Sequence, residues 1–464
     1  MQLVWFRQDL RIVDHRALTQ ACQRARERGE AVAGLFIISR EQWRHHHMAP
    51  VRERFLFERV NELGAELARL GIPLHLIEVP WFEEIPAALA SWAQERGVSE
   101  LHALSAIEID ERRRDKAVAA ALPIPCHFIP GCCVFAPGEI LTGKGEPFKV
   151  FTPFSRAWLG QLASRGFSLL PPPRPVAAPL SWQPLSLPER SEHEQRVLAH
   201  WPVAEGEAEG RLCGFVEEGL LAYGQWRDFP AQDGTSSLSA YLAAGVLSPN
   251  QCLAAIQTGL GTLPMEKEAP GFAWLNELIW REFYRHLLYL APRLSRNQPF
   301  QLHTRALAWS HDEEHFLAWC EGRTGYPIVD AAMRCLRQTG WMHNRLRMIV
   351  ASFLTKDLHI SWRRGEDYFM SQLIDGDLAA NNGGWQWAAG TGADAAPYFR
   401  VFNPTTQGQR FDPEGAFIRR WVPELAALPV TRLHQPGPVG AYPAPIVDHG
   451  AARLRAIAMF KALG

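Results

Sequence analysis

Glu277, Trp280, Arg281 and Tyr284 stand close together in the string Trp274-Leu275-Asn276-Glu277-Leu278-Ile279-Trp280-Arg281-Glu282-Phe283-Tyr284-Arg285-His286. On a helix, spacing of i, i+3, i+4 and i+7 puts all four on one face. A helix built only to pack would carry Leu or Ile on that stripe. An acid, two aromatics and a cation form instead a surface on which an extruded base can stack and hydrogen-bond. A second concentration is Trp385-Gln386-Trp387, preceded by an Asp375-Gly376-Asp377 loop and Asn381-Asn382-Gly383-Gly384, and followed by Tyr398-Phe399-Arg400. Indole is large, seldom fully buried and needs a partner for its N–H. Two indoles two residues apart, just after a Gly-Gly break, suit stacking or the relay of an electron. The chain holds 17 tryptophans, its main compositional departure, and many lie beyond Trp274.

Three further motifs admit blander readings. Thr235-Ser236-Ser237-Leu238-Ser239 sets four hydroxyls ahead of a helical run. Hydroxyls and free N–H groups at a helix start suit phosphate oxygens, but these residues alone favour a helix cap. Asn344 and Met348, at i and i+4, can face one cavity, where methionine ordinarily just fills space. His45-His46-His47 offers imidazoles, yet consecutive side chains diverge and seldom share one ion, so a solvated turn is expected and no metal is assigned.

The elements that must position these residues fall into two kinds. Apolar runs at 3–6, 31–39, 74–79, 101–107 and 126–129 alternate with amphipathic helical patterns at 17–28, 52–70, 82–96 and 110–122. Such alternation predicts a doubly wound parallel sheet. No G-x-G-x-x-G follows the first strand, which runs instead into Trp5-Phe6-Arg7-Gln8-Asp9-Leu10-Arg11, so a conventional dinucleotide site is not expected there. From 130 to 201 the pattern dissolves, and Pro171-Pro172-Pro173-Arg174-Pro175 suits an extended connector. Beyond 205 the chain reads as helical, with helices expected at 207–219, 237–244, 249–258, 274–290, 311–321, 328–339, 345–359 and 366–373. The expected division is an α/β domain over 1–131, a proline-rich connector over 132–204 and a larger all-helical domain over 205–464.

At 464 residues the chain should form more than one core. Apolar runs of about ten residues are too short to cross a bilayer, and the first residues show no secretory signal. Eight cysteines without a C-x-x-C pair point to reduced intracellular thiols and speak against an iron–sulfur cluster. A net charge of −1 gives no support for nucleic-acid binding, so a DNA partner would require basic residues gathered on one face.

The string 375–404, DGDLAANNGGWQWAAGTGADAAPYFRVFNP, closely resembles the flavin-site signature of the DNA photolyase/cryptochrome family, and the resemblance extends over essentially the whole chain. It is strongest for class I cyclobutane pyrimidine dimer photolyases with a folate antenna. It implies an enzyme in which reduced, anionic FAD, excited by light, passes an electron to a dimer flipped out of DNA. By that resemblance FAD is held by Tyr223, Thr235, Ser236, Ser237, Leu238, Ser239, Trp274, Arg347, Asp375, Gly376, Asp377 and Asn381, with Arg347 paired to Asp375. Glu277 and Asn381 are the catalytic positions. Trp385, Trp362 and Trp309 form the electron relay. The lesion and its DNA meet Arg227, Glu277, Trp280, Arg281, Tyr284, Asn344, Arg345, Met348, Trp387 and Arg400. The Asn344/Met348 pattern resembles enzymes for cyclobutane dimers, where those for (6-4) photoproducts carry histidines.

The antenna positions are His46, Asp110, Glu111 and Arg296. Two depart from the family: an Asn-Glu pair reads Asp110-Glu111, and a usual Lys is Arg296. Asp110 cannot donate as an amide would, so 5,10-methenyltetrahydrofolate is expected with a deazaflavin as the alternative. The competing functions are a blue-light-sensing cryptochrome and a (6-4) photolyase. Cryptochromes usually carry a long C-terminal extension, whereas about sixty residues follow Asn403-Pro404 here. A monomer in a bacterial-type cytoplasm, acting on the nucleoid without metal or membrane, completes the expectation.

Overall fold

The computed structural model describes residues 1–463. Five strands, β1 (Gln2–Phe6), β2 (Val32–Ile38), β3 (Leu74–Glu78), β4 (Glu100–Leu104) and β5 (Cys126–Ile129), form one parallel sheet in the order β3-β2-β1-β4-β5. Parallel strands need crossovers, supplied by α1 (Arg16–Arg28), α2 (Pro50–Arg69), α3 (Ile85–Glu95) and α4 (Ile109–Ala121). Helices on both faces explain why β1 and β2 are buried at every position rather than alternating. Leu3, Leu35 and Leu101 are wholly buried under α3 and α4, each contributing about 1.5–3 kcal/mol. The chain reverses direction across the sheet at β1/β4, the place where open α/β folds put a ligand crevice beyond the strand ends.

The proline-rich stretch is not wholly extended, because it contains α5 (Phe151–Arg165) and a short helix, Glu192–Leu198. Phe151, Phe154, Trp158 and Leu162 are buried at helical spacing, a signal that the flanking prolines mask. Two compact units emerge: Met1–Ser191 with Leu198–Leu220 and Ser236–Pro292, and Glu192–Val197 with Leu221–Thr235 and Arg293–Gly464. The first unit therefore holds the long helix α6 (Phe272–Leu290) together with the sheet. Buried polar bonds account for this. Glu282 of α6 accepts from Trp158 Nε1 at 2.6 Å and from the Val134 amide. Glu205 accepts from the Ile12 and Val13 amides, and Gly245 approaches so closely that a Cβ there would lie 2.2 Å from Gln8 O.

The second unit is helical, with α7 (Pro327–Thr339), α8 (Asn344–Ser352), α9 (Trp362–Gln372) and α10 (Leu378–Ala389) around one apolar core. The run expected at 345–359 divides into α8 and a wider π-helical turn, Phe353–Asp357. Helix α10 corrects the expected Gly-Gly break: it runs straight through Gly383-Gly384. Two helical glycines cost about 1 kcal/mol each against alanine. The Asp377 cap on the Ala380 amide and the burial of Trp385, Ala388 and Ala389 offset that cost. The helices Pro404–Phe411, Ala416–Trp421, Val430–Leu433 and His449–Lys461 were not anticipated.

Candidate functional site

In the helical unit, α8, the 375–377 loop, α9 and α10 bring polar groups to one edge. Arg347 Nη2 lies 2.8 Å from Asp375 Oδ2, and its Nε donates to Met342 O at 2.7 Å. Asn381 Nδ2 donates to Glu366 O at 3.0 Å, which fixes the amide. Behind it, Asn382 bonds Glu366 Oε1 at 2.9 Å and Gln386 bonds Asn382 Oδ1 at 2.8 Å. Burial pushes the Glu366 carboxyl up to about 8, so it is mostly protonated at neutral pH. Glu366 and Gln386 were not singled out from sequence, and no local pattern marks them. Three buried atoms here, Asp375 Oδ1, His343 Nε2 and Glu366 Oε2, have no protein hydrogen-bond partner. Burial without a partner is costly, so such atoms ask for a ligand or water.

The three tryptophans expected to form a relay all belong to or pack against the core of this unit. Trp309 is half-buried, and Ser310 beside it pairs with Ile360, its amide donating to His359 O at 2.7 Å. Two residues on, Trp362 opens α9 and is 1% exposed. One turn further, Gly365 packs flat on Trp385, where a Cβ would lie 2.1 Å from the indole. Trp385 meets Phe369 edge-on, with ring centroids 5.0 Å apart. Exposure thus falls from Trp309 to Trp362 and Trp385. Trp387 is half-buried beside Phe402.

Other expected residues of this unit are placed less uniformly. Tyr223 is buried beneath the Arg227 guanidinium, 5.3 Å from its ring. Arg345 pairs with Asp228 at 2.8 Å and covers the Phe411 ring, so its charge is already met. Asn344 and Arg400 are exposed, and Met348 is half-buried.

In the first unit α6 carries Glu277, Trp280, Arg281 and Tyr284 as one half-buried stripe, while Trp274, Leu275, Leu278 and Phe283 are buried. Trp280 stacks on Phe151 with centroids 3.6 Å apart and touches Tyr284. Arg281 donates to Cys132 O and Leu242 O, each at 3.1 Å. The hydroxyl stretch precedes only a six-residue helix, Ser239–Ala244, whose cap position is Leu238 with no side-chain cap bond. The helix-cap reading of these hydroxyls therefore does not hold. Ser237 takes a φ of 48°, a strained conformation for a residue with a side chain.

The switch point of the sheet gathers His46, Asp110 and Glu111. His46 Nε2 lies 3.8 Å from Asp110 Oδ2, and its Nδ1 lies 3.7 Å from Glu111 Oε1. Burial first, then Glu108, raises the Glu111 carboxyl to about 8. Arg7 is tied to Asp115 at 2.6 Å, and Arg114 covers the Trp5 and Phe82 rings. Arg296 ends a 3-10 helix, Pro292–Arg296, of the other unit and is exposed.

The comparisons show that the chain belongs to the DNA photolyase family. The DNA photolyase domain matches residues 2–177, and the FAD binding domain of DNA photolyase matches residues 274–462. The deoxyribodipyrimidine photo-lyase of Salmonella typhimurium is 48% identical over 474 residues, covering 99% of this chain and 98% of that one. The bacterial class III photolyase of Agrobacterium tumefaciens, 35% identical, has a similar structure with a TM-score of 0.86, covering 100% of this chain and 97% of that chain. The Synechocystis sp. PCC6803 cryptochrome is 28% identical with a TM-score of 0.85, and 99% of each chain is covered. Among the described residues no helix is long and apolar enough to cross a membrane.

Proposed function

We propose that this chain repairs cyclobutane pyrimidine dimers in DNA with light, using bound, reduced FAD. The observation that carries this reading is the 48% identity, over 99% of the chain, with a deoxyribodipyrimidine photo-lyase. Bound FAD would supply a photoexcitable donor of one electron.

The residues fit that cofactor. The unpartnered buried Asp375 Oδ1 and His343 Nε2, beside the fixed Arg347, suit a polar heterocycle. Asn381, tied to Glu366 O, offers a neutral amide rather than an ionisable acid, which suits an anionic reduced ring. Tyr223, Thr235, Ser236, Ser237, Leu238 and Ser239 would hold the diphosphate, with Gly376, Asp377 and Trp274 completing the FAD contacts.

On the lesion, Glu277 hydrogen-bonds the dimer and holds its charge, while Trp280 and Trp387 stack against it. Trp280 is already held flat by Phe151, so little rotamer freedom is left to lose on stacking. Tyr284, Asn344, Arg345 and Met348 complete the pocket, with Arg345 held by Asp228, and Arg227, Arg281 and Arg400 would steer the phosphates. Flipping costs a few kcal/mol, less for a base pair already damaged. Trp309, Trp362 and Trp385 deliver electrons that reduce the flavin. A half-buried Trp309 ahead of the buried Trp362 and Trp385 supports a path from surface to core.

The functional division is an antenna module over 1–131, a connector over 132–204 and a catalytic part over 205–464. The antenna, at His46, Asp110, Glu111 and Arg296, is 5,10-methenyltetrahydrofolate, for whose pterin ring Glu111 keeps an acceptor, with a deazaflavin as the alternative. The protein acts as a monomer in the bacterial cytoplasm, on the nucleoid where its substrate lies. Illuminating the reduced protein with a dimer-containing oligonucleotide should restore intact pyrimidines, whereas dark controls should not. Light-independent or absent conversion by flavin-loaded protein overturns the reading.

A further inference from the structure

At the sheet edge opposite the switch point, Gln2 begins β1, Glu100 begins β4, and His127 lies in β5 directly opposite His102 of β4. Glu100 and His102, two apart on a strand, point to the same face. Their ligand atoms and those of His127 all lie within 4.8 Å of one another, and among the described residues no other such His/Cys/carboxylate set occurs. Glu100 Oε2 is 3.0 Å from His127 Nε2 and 3.7 Å from His102 Nε2. Ligands about 2.0–2.1 Å from a tetrahedral zinc ion lie about 3.3 Å apart, between these two separations.

The groups behind these three are those a metal site uses. His102 Nδ1 lies 3.2 Å from Gln20 Oε1, an acceptor able to hold the Nδ1–H tautomer that a metal on Nε2 requires. Nε2 itself meets Gln2 Oε1 at 2.6 Å, a hydrogen bond in the other tautomer whose proton a bound ion would replace. The identity of this oxygen follows from Gln2 Nε2, which donates to Glu30 at 2.7 Å and to Ser99 Oγ at 3.1 Å. Nε2, Gln2 Oε1 and Glu100 Oε2 thus converge on one point, where a metal ion would take the place of a proton. The second oxygen of Glu100 is held by Arg28 at 2.5 Å. Glu100 and His102 are buried, and His127 is 29% exposed, leaving an entry from solvent.

We propose that Glu100, His102 and His127, with Gln2 Oε1 or water as a fourth ligand, bind one divalent transition-metal ion of the zinc class. The ion would clamp β5 to β4 and, through Gln2, to β1. Two imidazoles and one carboxylate favour zinc, copper or nickel over magnesium or calcium.

The test uses untagged full-length protein stripped with a chelator and titrated with Co²⁺, whose visible bands report tetrahedral N/O coordination, then with Zn²⁺. One equivalent of Co²⁺ should bind and be displaced by Zn²⁺, and Zn²⁺ should raise the melting temperature in a chelator-reversible way. His127→Asn and Glu100→Gln should weaken binding more than about tenfold, as should Gln20→Leu, which removes only the outer acceptor. His45→Gln and His47→Gln should not. Absence of the Co²⁺ spectrum in the parent overturns the proposal whether or not the variants fold. Binding that survives in His127→Asn, or disappears in His45→Gln, also overturns it, by placing the ion elsewhere.

Discussion

The Arg347–Asp375–Asn381 edge and the His46–Asp110–Glu111 corner both gather polar groups for a ligand, but they hold them differently. At the edge the bonds are 2.7–3.0 Å and each donor is held by a second layer, Asn381 by Glu366 and Glu366 by Asn382. At the corner His46 is held by Gln42 at 2.9 Å but stands 3.7 and 3.8 Å from its acids, and Asp110 is 44% exposed. Electron transfer and a reactive ring need fixed groups, so a preorganised second layer belongs at the edge. Light-energy transfer from an antenna works across a longer gap and tolerates a looser seat. If the proposed roles hold, this contrast would let the corner differ from the family pattern at Asp110 while the edge keeps its motif.

The largest effect should come from Trp385→Phe, which ought to abolish photoreduction of oxidised flavin while chemically reduced protein still repairs. Transient absorption with a repair assay separates the two, and equal loss of both would put Trp385 in catalysis or structure. Next, Arg347→Ala leaves Asp375 buried and unpaired and should cost about 3–5 kcal/mol, read as a lower urea midpoint and lost flavin. Asp110→Asn at the corner should leave both unchanged; a comparable loss there would break the contrast.

Glu277→Ala should lower dimer binding or quantum yield by about 1.5–3 kcal/mol, the worth of a hydrogen bond to a charged group, with flavin content and photoreduction normal. Repair at the parental rate would reduce Glu277 to a helix-surface acid.

The smallest effect concerns pH. Glu366 and Glu111 are both raised by burial from 4.5 to about 8. For an acid raised on folding, the stability it contributes is complete below about pH 4.5 and is lost as pH climbs to 8. Gln at either position should remove that loss. The gain should be larger for Glu366→Gln, at 1% exposure, than for Glu111→Gln, whose side chain is 16% exposed. Urea midpoints across this range check the order, and equal gains would mean that corner and edge are equally dry.

Local periodicity alone determined much of this molecule. All five strands follow from short apolar runs, and helices α1 to α4 and the α6 stripe from spacings of three to four residues, which act within one element and need no partner. Motif resemblance pointed to Arg347 and Asp375 across 28 residues, and they lie 2.8 Å apart. Only the tertiary structure decided the rest. Helix α10 crosses Gly383-Gly384 because packing around Trp385 outweighs propensity. Helix α6 joins the sheet's unit because Glu282 finds Trp158, 124 positions away. Arg345 spends its charge on Asp228, and Glu366 supports Asn381 through its main-chain oxygen, which no side-chain pattern encodes. Glu100, His102 and His127 match no ligand spacing along the chain. They meet because parallel pairing of β4 and β5 sets residues 102 and 127 side by side, a register made by the fold rather than by neighbours in sequence.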